Sequence, residues 1–481
     1  MDTKKILVLG ASGYIGSQLI PHLLTQGHKV TAAARNVSYL QSRLKPHPKL
    51  TFTYLDLVDK DRTLETVHGH DVVFFLVHGM AHGHDFLEYE LSLAINFRDA
   101  LQGSGVEHVI YLSAIQPQTG NSEHLEARKK TGEVLRQSCV PVTELRAGVI
   151  VGTGSAVYEI MKDLVYNMPV LLAPKFVSSK ANPIALANLN HYLVSLVKET
   201  PASHQYFEVG GPEVLSYAEQ FNIIGEAINR KRKLVPTALL TPSMAAFWLG
   251  VVTSVPSAIG KALLAGISHD YIANADEIQA RYPQTMITFE QAVKVSVMQE
   301  GEFVRSNVWG FDPQALNRWQ PGFGYYPKNA GASIYTELSS TQLWQIIKKI
   351  GSKEEGYFFA NYLWRTREWL DFFFGAGVPV RRAPTNPELE VGEFIDSWKV
   401  IRCEKGRFLS LLFGMKAPGM GRLECTITDR GEYRELDIRA WWHPKGFTGL
   451  LYWFAMMPAH LFIFRGMVRA IVKKAKAAGL E

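Results

Sequence analysis

The sequence predicts an α/β chain, a doubly wound parallel sheet followed by a smaller α+β domain, and three observations carry that prediction. Residues 4–35, KKILVLGASGYIGSQLIPHLLTQGHKVTAAAR, read as strand, glycine turn, helix and strand. The same rhythm of apolar strand and helix recurs to about residue 152. From residue 333 the pattern changes to a strand, a helix, a run of strands and a long apolar helix. At 481 residues the chain is too long for one ordinary domain, so the change marks a boundary. The expected division is 1–300, a connecting segment rich in Gly, Pro, Trp and Tyr over 301–332, and 333–481.

The first strand, ILVLG, is a continuous apolar run, as a parallel strand covered on both faces requires. Gly10, Gly13 and Gly16 follow it directly, and Ile15, Leu19, Ile20, Leu23 and Leu24 then recur at helical spacing. A glycine triplet in that context is a dinucleotide-binding signal. Gly10 makes the tight turn and Gly13 lets backbone approach a pyrophosphate. Gly16 lets helix pack on strand, and Ser12, Tyr14 and Ile15 complete the turn before a helix N-terminus that faces the anion. The alternative is a tight turn that binds nothing. The second strand ends in Arg35, where a carboxylate would favour a free ribose 2′-hydroxyl. An arginine there favours a 2′-phosphate, hence NADP(H) over NAD(H), unless it is only a solvated surface residue. Further strands are LTFTYLDL, DVVFFLVHG, VEHVIYLSA and PVTELRAGVIVG. No GxxxxGK[ST] is present, so a phosphate loop for nucleoside-triphosphate hydrolysis is not supported.

Together GASGYIG, LDL, YLSA and LRAGVIVG resemble the short-chain dehydrogenase/reductase superfamily, in its extended and atypical branch of NmrA-like and nucleotide-sugar-epimerase-like proteins. The resemblance covers roughly residues 5–300 and implies a Rossmann domain that binds NAD(P). It implies Asp56 and Leu57 near the adenine, Leu76, Val77 and His78 near the riboses, Arg146 near the sixth strand, and Ser113 as the active-site hydroxyl. The family's catalytic pair is a Tyr and a Lys four residues apart on the helix after the fifth strand. Here SEHLEARKK, residues 122–130, offers His124 and Arg128 instead. Four apart on a helix, these two share a face. Arginine can donate hydrogen bonds to a ribose, though it does not give up its proton. Histidine, ordinarily near pKa 6.5, can donate a proton near neutrality, with Arg128 and Lys129 lowering that value. The alternative is an exposed polar helix face. YEIMK, Tyr158 to Lys162, has the family's spacing but follows the sixth strand, so it is read as a decoy. His78, His82, His84 and Asp85 share one glycine-broken loop, read as lining the site rather than holding a metal.

The formal charge of +6, from 51 basic and 45 acidic residues, is too small over this length to imply nucleic-acid binding. RKRK at 230–233 is read as a solvated loop face. Cys139, Cys403 and Cys425 are widely spaced, which fits a reducing compartment, and MDTKKILVLG runs straight into a strand, so a cytoplasmic protein is expected. Residues 242–260 read as a short buried helix and a turn. Residues 446–464 are uncharged over roughly a bilayer's width, but Pro458, His460 and flanking glycines favour a buried helix over a membrane span.

The aromatic and aliphatic content of 155–300 fits an apolar substrate pocket or lid, and equally a plain core. Residues 333–481 resemble the START-like, or SRPBCC, helix-grip fold, whose sheet wraps a final helix around a hydrophobic cavity. They also resemble the uncharacterised domain that follows NAD(P)-binding domains in bacterial two-part proteins. On that resemblance Trp398, Phe413, Trp441, Trp442, Trp453 and His460 would line a cavity for a small apolar ligand, with core packing as the alternative. The expectation is therefore a cytoplasmic NADP(H)-dependent oxidoreductase whose C-terminal cavity takes an apolar carbonyl, quinone or lipid-like substrate. Its rival is a non-catalytic NADP(H)-binding redox sensor.

Overall fold

A computed structural model describes residues 3–479 apart from 79–85, 117–121, 238–241, 256–258, 261–262, 265–268, 308–318, 320–321, 353, 365, 367–387, 396–397 and 415–416. The chain forms two compact units, Met1–Asn307 and Val308–Glu481. The helix Phe289–Asn307 runs past residue 300, and a strand begins at Lys328, inside the stretch read as a connection.

The first unit is built on β1 (Lys5–Leu9), β2 (Lys29–Ala34), β3 (Leu50–Tyr54), β4 (Val72–Phe75), β5 (His108–Ala114) and β6 (Val142–Ala147). A seventh strand, Gln205–Val209, joins the edge at β6 and gives an all-parallel sheet in the order seventh, β6, β5, β4, β1, β2, β3. The helices are α1 (Tyr14–Thr25), α2 (Val37–Arg43), α3 (Lys60–Val67), α4 (Phe86–Ala100) and α5 (Glu123–Leu135). After β6 follow α6 (Ala156–Asn167), α7 (Leu186–Leu196), α8 (Tyr217–Ala227) and α9 (Pro242–Val252). Alternation along β1 explains its unbroken apolar run. Ile6 and Val8 pack with Leu19, Ile20 and Leu193 of α1 and α7, whereas Leu7 and Leu9 pack with Leu93, Phe97 and Leu135 of α4 and α5. Strand order reverses between β1 and β4, so the loops leaving these two strands part there and leave a crevice at the carboxyl edge.

Helix α6 buries charge. Lys162 Nζ lies 2.5 Å from Glu159 and 2.7 Å from Glu300, with all three side chains nearly inaccessible. Asp163 accepts from the backbone N–H and the hydroxyl of Ser254, each at 2.6 Å. The RKRK stretch is packed in part: Arg232 donates to the Val165 carbonyl and Arg230 lies over the Tyr166 ring. Helix α9 is not the fully buried helix expected of residues 242–260, because Met244, Phe247 and Trp248 are exposed.

The second unit is a six-stranded antiparallel sheet in the order Lys328–Thr336, Arg434–Pro444, Gly419–Asp429, Phe408–Phe413, Trp398–Glu404, Phe394–Ile395. Ser339 caps the helix Ser340–Ile347 through a reciprocal capping box with Gln342. The closing helix Gly446–Ala477 packs Trp453, Phe464, Met467 and Ile471 into the core formed with the sheet, and Trp442 Nε1 donates to the Gly449 carbonyl at 3.1 Å. Burial of this helix is one-sided, as the buried amphipathic helix read for 446–464 implies, but its outward side there is apolar: Phe447, Leu451, Phe454, Leu461 and Phe462 are exposed. Among the described residues it is the one helix long and apolar enough to cross a membrane.

The six residues assigned to a C-terminal cavity do line one space, but it measures about 50 Å³. That is room for a few water molecules. Aromatic rings fill the volume: Trp398 meets Phe413 edge-on at 5.3 Å, and Phe413 meets Trp442 at 5.7 Å.

Candidate functional site

The crevice between β1 and β4 is floored by the glycine turn. Gly10 adopts φ +79°, and a Cβ placed on it would stand 2.8 Å from the Leu76 carbonyl oxygen, so the two loops touch through backbone. A Cβ on Gly16 would stand 2.6 Å from the Gly10 oxygen and 2.8 Å from Ala11 Cα, the close helix-to-turn packing the sequence implied. Gly13 is the N-cap of α1 and brings no side-chain cap, so the first N–H groups of the helix keep their donors for a ligand. These features fit a dinucleotide pyrophosphate. The side chain of Tyr14 leaves the turn and lies against Gly152, past β6.

Arg35 is exposed at the end of β2 and donates to the Tyr89 hydroxyl at 3.4 Å. Arg43, at the end of α2, donates to the Ser12 carbonyl within the glycine turn. Sequence reasoning passed over Arg43, whose only local sign is a basic residue closing the helix after the second strand. Asp56 and Leu57 follow β3 at the same edge of the sheet. Asp56 accepts from the Val58 N–H, and the Leu57 carbonyl accepts from Asn96. Neither has a described contact with the glycine turn.

The stretch SEHLEARKK forms the start of α5 because Ser122 caps it, accepting from the Leu125 N–H, and Glu123 and Glu126 sit favourably in its first turn. Leu125, Ala127, Arg128, Thr131 and Leu135 are buried and fix its orientation. Arg128 is 8 % exposed, so the pair is not an exposed polar face. Its guanidinium donates to the Val77 carbonyl at 3.2 Å and lies 3.5 Å from Glu90 of α4. Its own carbonyl accepts from the Tyr111 hydroxyl of β5 at 3.0 Å. Burial opposes its charge, but Glu90 and Tyr111 more than offset that, so Arg128 is held a cation. Glu90 and Tyr111 were not read from the sequence, because their roles exist only once α4, α5 and β5 meet.

His124 is half-buried, and its Nδ1 is buried without a hydrogen-bond partner. Burial, then the charge of Arg128 and then His78, push its pKa down to about 3. His78 is pushed the same way, although it is exposed to solvent. At neutral pH His124 is thus a neutral imidazole. It can donate or accept a hydrogen bond, but it is not the imidazolium acid that an ordinary pKa would give. Ser113, at the end of β5, is buried, and its Oγ has no hydrogen bond of normal geometry among the described residues. Ser113 pairs in register with Arg146 of β6, whose guanidinium meets Glu144 at 3.1 Å and stacks on Tyr206.

Tyr158 and Lys162 are both about 1 % exposed, and the Lys162–Glu159–Glu300 cluster occupies the lysine, so their spacing reflects packing on α6. His82, His84 and Asp85 lie outside the described residues. Behind α6 lies a cavity of about 380 Å³, within the range of small-molecule sites. Val157, Ile160, Met161 and Leu164 line it at helical spacing, with Tyr217 of α8 opposite and Trp248 of α9 at the wall. No charged side chain lines it among the described residues. This apolar volume lies in the 155–300 stretch read as a pocket or lid.

Residues 10–165 match the NAD(P)H-binding family, and residues 332–467 match a family described as protein of unknown function (DUF2867). The chain is 24 % identical over 245 residues to the chloroplastic divinyl chlorophyllide a 8-vinyl-reductase of Zea mays, covering 48 % of this chain and 61 % of that protein. It is 28 % identical over 123 residues to the 3-beta-hydroxysteroid dehydrogenase of Mycolicibacterium neoaurum, covering 24 % and 32 %. The chain thus spans less than two thirds of the length of these relatives. Among solved structures, the Bordetella bronchiseptica enzyme WbmH in complex with NAD+ superposes with a TM-score of 0.50 at 14 % identity, over 63 % of this chain and 99 % of that one. The first unit has the Rossmann fold, and its residues 10–165 match an NAD(P)H-binding family.

Proposed function

We propose that this chain is an NADP(H)-dependent reductase of an apolar carbonyl compound, of quinone or lipid-like character, bound in the cavity behind α6. One observation carries the reading. Ile115 and Leu125, close in sequence to Ser113 and His124, share an apolar cluster with Met161, Val177 and Tyr217, which line that cavity. One apolar cluster thus connects the chain next to Ser113 and His124 with a volume sized for a small molecule. The turn from Gly10 to Gly16 would hold the pyrophosphate, and Arg35 with Arg43 would favour the 2′-phosphate. The nicotinamide, when bound, supplies the hydride. Reduction puts negative charge on the carbonyl oxygen, which takes a proton from solvent water to give the alcohol. Arg128, a fixed cation in a buried setting, stabilises charge of that sign, while Ser113 Oγ and the neutral His124 imidazole offer hydrogen bonds to the same oxygen. The C-terminal unit, read as helix-grip in type, needs no ligand in this scheme. The reading sets the protein in the reducing cytoplasm, supported by three cysteines that form no disulfide.

A specific observation favours the sensor reading as second: Arg128 is already engaged by Glu90 and the Val77 carbonyl, tying α4, α5 and the β4 loop together. Calorimetric titration of nucleotide-stripped protein with NADPH and NADH, followed by a panel of apolar quinones and aldehydes, separates the two. The reductase binds NADPH in preference to NADH, loses that preference in Arg35→Ser with Arg43→Ser, and loses turnover but not cofactor in His124→Phe. Tight NADPH binding with no turnover across the panel would move the assignment to the sensor.

A further inference from the structure

The closing helix Gly446–Ala477 contains no acidic residue. Its outward side begins with Phe447, Leu451, Phe454, Leu461 and Phe462, each between 39 % and 53 % exposed. It continues with the exposed Arg465, Arg469, Lys473 and Lys476. At 3.6 residues per turn all nine fall within an arc of about 120°, one face of the helix. The apolar part runs about 22 Å and the basic part about 16 Å at 1.5 Å per residue. None of these four cations makes an ion pair among the described residues, whereas Lys474, off that face, is held by Glu355 at 2.6 Å.

Scattered exposed apolar side chains need no explanation, but a contiguous row continuous with a row of one charge does. A second copy of this helix would bring the same cations and no acid to meet them. An acidic protein surface would match the basic half and leave the phenyl and isobutyl groups in water. A bilayer surface with anionic lipids matches both halves. We infer that this face seats the protein on an anionic membrane, the helix lying in the interfacial plane with its apolar half at the acyl boundary and its cations among the phosphates. It lies on the bilayer and does not span it, because Trp453, Phe464 and Met467 on the other side are built into the sheet's core. This inference is independent of the reductase reading.

The test is co-sedimentation of the full-length protein with vesicles of phosphatidylcholine alone and of phosphatidylcholine mixed with phosphatidylglycerol. The expected result is a protein that stays in solution without detergent, prefers the mixed vesicles, and is released at 1 M salt, where the screening length is about 3 Å. Replacing Arg465, Arg469, Lys473 and Lys476 by Gln weakens partitioning about fivefold per cation. Leu451→Ser with Phe462→Ser, exposed positions checked for folding by circular dichroism, lowers binding to the mixed vesicles. Equal binding to both vesicle types, or wild-type partitioning after loss of the four cations, would overturn the inference. So would a requirement for detergent, which would mean a span, or a dimer abolished by Leu451→Ser in a protein that binds no vesicle.

Discussion

Gly10 and Gly69 share a backbone conformation, φ +79° and +78°, but differ in what a side chain there would meet. An L-residue in this region costs about 1–2 kcal/mol. At Gly69 nothing lies within 4 Å of the added Cβ, so Gly69→Ala should lose that amount and no more. At Gly10 the Cβ would stand 2.8 Å from the Leu76 oxygen and 2.9 Å from its carbonyl carbon, both backbone atoms that can yield only if the β4 loop moves. Overpacking of that kind adds about 1–3 kcal/mol, so Gly10→Ala should lose about 2–5 kcal/mol. Urea unfolding of both variants, alongside NADPH titration, measures the difference. Gly10→Ala should unfold earlier than Gly69→Ala and weaken NADPH binding, with Gly69→Ala binding as wild type. Equal midpoints for the two variants, or undiminished NADPH affinity in Gly10→Ala, would refute the claim that contact between the two loops shapes the cofactor turn.

Lys162→Met should destabilise the first unit by about 3–5 kcal/mol, since it leaves Glu159 and Glu300 buried without their cation; adding Glu159→Gln and Glu300→Gln should recover much of the loss in the same unfolding assay. His443 is fully buried, and burial, with Arg422 adding to it, pushes its pKa to about 3. Above about pH 6.5 it is neutral folded and unfolded; below that, only the unfolded chain takes the proton. Stability of the second unit should therefore fall as pH drops from about 6.5 toward 3, by up to about 1.4 kcal/mol per pH unit from this group, and unfolding of His443→Gln should show a shallower slope. For His124, nitrogen NMR should find a neutral ring at about pH 5, and an imidazolium there would remove the basis for its role as a neutral hydrogen-bonding group.

Much of the first unit was legible because its signals are local. The apolar run of β1, the three glycines and the periodicity of α1 lie within 22 consecutive positions, Lys4 to Thr25, and each constrains the next. The pairing of His124 with Arg128 followed from helical spacing alone. What escaped depends on distant parts meeting. The seventh strand pairs Gln205 with Thr143 of β6, Glu90 reaches Arg128 from another helix, and Arg43 reaches back to Ser12. The cavity behind α6 lies in the stretch whose composition fitted a pocket and a plain core equally, and the C-terminal aromatics posed the same ambiguity. Trp398, Trp442 and Trp453 have the composition of a cavity wall and of a filled core alike, and only packing tells which.

Lys162 and Glu300 stand 138 positions apart in the chain. During synthesis the lysine leaves the ribosome long before one of its two carboxylates exists, and a buried ammonium with an incomplete set of partners is unfavourable. The sheet's early strands can pair as they emerge, but α6 cannot settle into its final place until the helix Phe289–Asn307 has been made. A chain cut before residue 300 would carry the nucleotide turn together with a lysine short of one of its two carboxylates.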